Sequence, residues 1–135
     1  MAAASRVPDD VGMAPARPPV LVVDDHDGLR SALCEALRGE GYDAIEASDA
    51  PAALDVLRSS EPAVAIIDVR MPGMDGFALL ERMRSEQIDC PVILISVVGD
   101  LASRRQAEQL GAFAFREKPF DLRELLEDVR AAAES

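Results

Sequence analysis

Short apolar runs recur along this chain, and most of them stop at a polar residue. Val20-Leu21-Val22-Val23 ends in Asp24-Asp25, Ala63 to Ile67 ends in Asp68, and Val92-Ile93-Leu94-Ile95, introduced by Pro91, ends in Ser96. A further apolar stretch, Ala112 to Phe115, is closed by Lys118-Pro119. Runs of this length bounded by turn signals suit strands buried on both faces. Tyr42 to Ala47 alternates instead, with Ile45 among its apolar positions, and suits a second strand.

Between these runs the period lengthens to that of a helix. Leu29, Leu33, Ala36 and Leu37 share a face, with Asp27 as the expected N-cap and Gly39 or Gly41 as the stop signal. Ser48-Asp49 opens a second helix, striped by Ala53, Leu54 and Leu57 and closed by Ser59-Ser60. A third begins near Asp75 and is expected to bury Phe77, Leu80 and Met83. Asp100 to Leu110 is a weak fourth helix, with only Leu101, Ala107 and Leu110 on its inner side. The last, from Asp121 to about Ala133, carries Leu122, Leu125, Leu126 and Val129, the spacing of a docked amphipathic helix. Five strands alternating with five helices fit βαβ units. Right-handed crossovers make this an α/β fold, three-layer and doubly wound around a five-stranded parallel sheet.

Residues 1–18 have no period that could bury a face and carry Pro8, Pro15 and Pro18, so they read as a disordered Pro/Ala-rich leader. The domain is then 19–135, with no internal repeat. Fourteen Lys plus Arg against 25 Asp plus Glu give a net charge of −11, which argues against direct nucleic-acid binding. No apolar run approaches a membrane span, and the N-terminus has no apolar signal core, so the expected location is cytoplasmic, without a membrane partner. Cys34 and Cys90 lack metal-ligand spacing and read as reduced packing thiols.

In a parallel sheet the polar strand ends share one edge, where ligands of such folds bind. Asp24, Asp25, Asp68, Ser96 and Lys118 are therefore gathered in one crevice, with Asp68 as the expected reacting group. Crowded carboxylates repel and are relieved by a cation, and an oxygen-rich, wet site suits Mg²⁺.

These residues carry a resemblance. Val23-Asp24-Asp25, Ile67-Asp68 followed by Met71-Pro72-Gly73-Met74-Asp75-Gly76, Ile93-Leu94-Ile95-Ser96, and Lys118-Pro119-Phe120 stand in the order and spacing of a known pattern. From Val20 to about Ala133 the chain resembles the receiver domain of two-component response regulators. The resemblance implies a (βα)5 fold of the flavodoxin-like, CheY-like kind, and a phosphorylation switch rather than a turnover enzyme. It implies that Asp68 is the phosphoacceptor, charged by a histidine kinase or a histidine phosphotransfer protein. Mg²⁺ would be held by Asp25, Asp68 and the backbone carbonyl of Arg70, with Asp24 acting through water. Ser96 would hydrogen-bond the phosphoryl group and Lys118 would pair with it. Ser96 and Phe115 would form the switch that alters the face built by the fourth helix, fifth strand and fifth helix. The Lys118–Pro119 bond is expected to be cis.

Two departures from the family pattern stand out. Val97 follows Ser96 where a small residue is usual, and Phe115 lacks the hydroxyl of the commoner Tyr. Phe115 is thus open between a moving aromatic and a fixed core one, and His26 reads as a rim residue of the site. The chain's end directly after the fifth helix suggests a stand-alone receiver. A receiver cut from a longer DNA-binding regulator and a phosphorylation-independent pseudo-receiver stay as alternatives. A Mg²⁺ phosphohydrolase is disfavoured, because Arg70 stands where such enzymes want a second Asp. Homodimerisation is a family habit that these residues do not themselves show.

Overall fold

A computed structural model describes residues 18–135, so all of the expected leader except Pro18 lies outside the described residues. The elements alternate strictly: β1 (Pro19–Val23), α1 (Asp27–Gly39), β2 (Asp43–Ala47), α2 (Ala50–Ser60), β3 (Val64–Asp68), α3 (Gly76–Ser85), β4 (Val92–Ser96), α4 (Leu101–Gln109), β5 (Ala114–Glu117) and α5 (Leu122–Ala133). All strand pairs are parallel, in the order β2-β1-β3-β4-β5. This is the doubly wound (βα)5 sheet that the periodicity predicts. The order in which strands are added reverses between β1 and β3, which is where such sheets open a crevice.

The central strands are buried except at Pro19, the first residue of β1, and their alternate side chains feed two separate cores. Leu21, Val23, Ala65, Ile67, Val92 and Leu94 point to the face covered by α2, α3 and α4. Val20, Val22, Val64, Ile66, Ile93 and Ile95 point to the face covered by α1 and α5. The helices are started by side-chain caps on N–H groups that lack an intrahelical partner. Asp49, Asp75, Asp100 and Asp121 each accept from a backbone N–H in the first turn of their helices.

Several expectations need correction. The α1 cap is His26, not Asp27: His26 Nδ1 accepts from Leu29 N at 3.0 Å. Leu101 and Leu122 were both expected to face inward, yet they are 63% and 43% exposed. Each is the first residue of its helix. Helical side chains lean toward the N-terminus, so these two overhang the helix start instead of the sheet. Phe77 is only partly buried, and Leu79 takes the core position beside Leu80 and Met83. The fifth strand is Ala114–Glu117 rather than Ala112 to Phe115. Ala112 instead closes α4 by donating to the Ala107 carbonyl, after Gly111 has turned the chain at φ +79°. At the sheet edge, pairing with β4 continues through the charged Arg116 and Glu117, so apolar content does not mark where β5 ends.

The exposure difference between the two leucine types is directly measurable. Leu125→Ala, at a site 1% exposed on α5, is expected to cost about 2–5 kcal/mol in urea unfolding. Leu101→Ala is expected to stay within about 0.5 kcal/mol of wild type. Equal losses would mean that α4 docks through Leu101.

Candidate functional site

Register builds the site. Val23 pairs with Ile67, so the next residues, Asp24 just past β1 and Asp68 at the end of β3, lie side by side. Both are buried, at 0% and 4% exposure, whereas Asp25 is exposed. Lys118 reaches in from beyond β5 and places Nζ 3.3 Å from an oxygen of each buried carboxylate, Asp24 Oδ2 and Asp68 Oδ2. Carboxylate oxygens of Asp24, Asp25 and Asp68 come within 4.8 Å of one another. Burial pushes the Asp68 carboxyl up from its ordinary value, and the Asp24 charge adds to that; Lys118 and the Arg70 N–H oppose both.

The backbone around each group is tied down. Asp24 N donates to the Ala47 carbonyl at 3.2 Å, and Asp24 Oδ1 accepts from His26 N at 2.9 Å. Asp68 Oδ1 accepts from Arg70 N at 3.2 Å, and Val69 N donates to the Ile95 carbonyl at 2.8 Å. Ser96 is 1% exposed; its Oγ accepts from Val98 N at 3.0 Å, and its carbonyl accepts from Lys118 N at 2.7 Å. The Lys118–Pro119 bond is cis. Beside the acids lies a cleft lined by Arg70, Met71, Phe77, Ser96, Val98 and Ser103 among others. Val98 therefore faces the cleft, while Val97 is 57% exposed. Phe115 sits half-buried against the α2–α4 core, and the Arg104 guanidinium lies over its ring at 5.1 Å.

All five residues expected at the strand ends thus occupy one edge, and the Arg70 backbone is in the same loop. The donor set fits a hard divalent cation: three carboxylates meet within a few ångströms, one of them on the water side, and Lys118 provides one neutralising charge. Sequence reasoning missed what three residues contribute. His26 was passed over as a cap because Asp is the commoner choice. Arg30 of α1, whose Nη1 donates to the Asp24 carbonyl at 2.7 Å, gives no local pattern to read. Gly76 was noted only within a turn motif, although its position is set by close packing. A Cβ there would lie 2.6 Å from the Asp68 carbonyl oxygen and 2.8 Å from Val69 Cα.

Comparison with known proteins bears on the chain as a whole. The family model of the response regulator receiver domain matches residues 20–130. Sporulation initiation phosphotransferase F of Bacillus subtilis is 34% identical over 111 residues, covering 82% of this chain and 90% of the relative. The DNA-binding transcriptional regulator NtrC of Escherichia coli is 39% identical over 113 residues, 84% of this chain but only 24% of that longer protein. Among solved structures, the receiver domain of the Francisella response regulator 1452 superposes with a TM-score of 0.84 at 29% identity, covering 87% of this chain and 98% of that one.

Gly76→Ala tests how tightly the loop is packed on the strand end. The added methyl meets backbone, which cannot swing away, so a loss of about 1–3 kcal/mol is expected in chemical denaturation. A variant as stable as wild type would show that the α3 start gives way freely.

Proposed function

The chain belongs to the response regulator receiver domain family, and from that membership we propose that Asp68 is its phosphoacceptor. Receiver domains accept phosphoryl groups from histidine kinases or phosphotransfer proteins, and such a donor is the proposed upstream partner. The observation that carries the assignment is Lys118 Nζ at 3.3 Å from both Asp68 and Asp24 on the edge where β1, β3 and β5 end.

In the proposed transfer, an Asp68 carboxylate oxygen attacks the phosphorus of a phosphohistidine. A P–O bond forms as the P–N bond breaks, and the imidazole leaves with the electron pair and takes up a proton. Lys118 offsets charge on the incoming phosphoryl oxygens, and Ser96 donates its hydroxyl hydrogen to one of them. Asp25, Asp68 and the Arg70 carbonyl would hold Mg²⁺, with Asp24 acting through water. When bound, the metal supplies electrostatic stabilisation of the transferring phosphoryl group. The domain catalyses only its own phosphorylation and dephosphorylation.

The output surface in this reading is the face of α4, β5 and α5. Ser96 turning toward the phosphoryl group gives up its bond from Val98 N and draws the start of α4 inward. Phe115 then moves relative to Arg104. Support comes from the weak docking of α4, which buries Ala107 alone among its residues. Among the described residues no helix is long and apolar enough to cross a membrane, and both cysteines are free and buried. A cytoplasmic location, where thiols stay reduced, suits them.

Intact-protein mass after exposure to acetyl phosphate tests the assignment. Wild type is expected to gain one phosphoryl group with Mg²⁺ and none with EDTA, and Asp68→Asn none in either buffer. A phosphoryl gain in Asp68→Asn equal to wild type would move the acceptor elsewhere.

A further inference from the structure

Arg30 spreads its guanidinium over three acceptors on three different segments. Nη1 donates to the Asp24 carbonyl at 2.7 Å, Nη2 to Asp27 Oδ1 at 2.7 Å, and Nε to Glu46 Oε1 on β2 at 3.0 Å. The side chain is 14% exposed, while Asp27 is 87% exposed, so that ion pair adds little to stability. The bond to the Asp24 carbonyl has a different consequence. That carbonyl belongs to the same planar peptide unit as the nitrogen and Cα of Asp25. Fixing its oxygen fixes the plane from which Asp25 departs.

The neighbouring acids are held in other ways. Asp24 has the His26 N–H and Lys118, and Asp68 has the Arg70 N–H and Lys118. The Asp25 carboxylate is exposed, and no hydrogen bond from the described residues orients it. Among the described residues only the backbone sets its direction, and Arg30 clamps that backbone between α1 and β2.

We infer that Arg30 is a positioning residue for divalent-cation binding, orienting the Asp24–Asp25 peptide so that Asp25 presents its carboxylate beside Asp68. This rests on the Mg²⁺ site proposed above. Groups that orient metal ligands commonly change affinity 10- to 100-fold when lost. Position and charge predict opposite signs here. A cation beside an acidic pocket repels Mg²⁺, so its removal tightens binding if charge is all that matters. If position matters, its removal weakens binding.

The test is calorimetric titration of Mg²⁺ into the full chain as wild type, Arg30→Met and Arg30→Lys, with thermal melts in EDTA. Both variants are expected to bind Mg²⁺ about tenfold more weakly. Arg30→Lys keeps the charge but cannot span three acceptors, and it carries the test if Arg30→Met fails to fold. Tighter binding by Arg30→Met with Arg30→Lys unchanged would assign the effect to charge and overturn the inference. Wild-type affinity in both, with a lower melting temperature, would make Arg30 a fold staple only and also overturn it. Absence of Mg²⁺ binding in wild type would instead remove the metal reading itself, and this inference with it.

Discussion

One ammonium held between two buried carboxylates governs this structure. Lys118 stands 3.3 Å from both Asp24 and Asp68, and neither acid has appreciable contact with water. Two negative charges against one positive leave the edge under-neutralised, and Asp25 adds a further carboxylate on the solvent side. A buried charge without a partner is costly, so the three groups constrain one another. The parallel sheet makes this arrangement unavoidable. β1 and β3 run side by side and release their next residues together, and the Ser96 carbonyl pins the backbone of Lys118 above them. The proposed cation binding and phosphoryl acceptance both draw on that single imbalance.

Beside this tightly determined edge, α4 is loosely held. It buries only Ala107, and its first residue, Leu101, is exposed. Its links to neighbours are polar: Arg104 Nε donates to the Gly99 carbonyl, and its guanidinium covers Phe115. Few apolar contacts and many exposed polar ones describe a segment with a low free energy of opening. In the proposed switch, a tied-down acid cluster next to a soft helix would let a small chemical change be felt as a change of surface.

The strands were legible because a doubly buried strand has no polar position to confuse the period, as Val20 to Val23 and Val92 to Ile95 show. Their terminal polar residues announced the site for the same reason. β5 was misplaced because an edge strand faces water and tolerates Arg116 and Glu117 in its ladder. Leu101 and Leu122 misled because periodicity states which face a side chain shares, not whether anything lies beneath the first turn. Arg30 could not be found from pattern at all. Its acceptors lie at sequence separations of 3, 6 and 16 residues, and only the folded chain brings them together.

The sheet also acts as a partition. Consecutive strand residues, such as Ile66 and Ile67, belong to different cores, one under α1 and α5 and the other under α2, α3 and α4. Side chains on opposite faces share no packing partners across the backbone layer. Substitutions in the two compartments should therefore add in free energy almost independently. Core substitutions under α1 and α5 can be made without repacking the core under α2, α3 and α4. A single small sheet thereby gives evolution, or an engineer, two nearly orthogonal canvases.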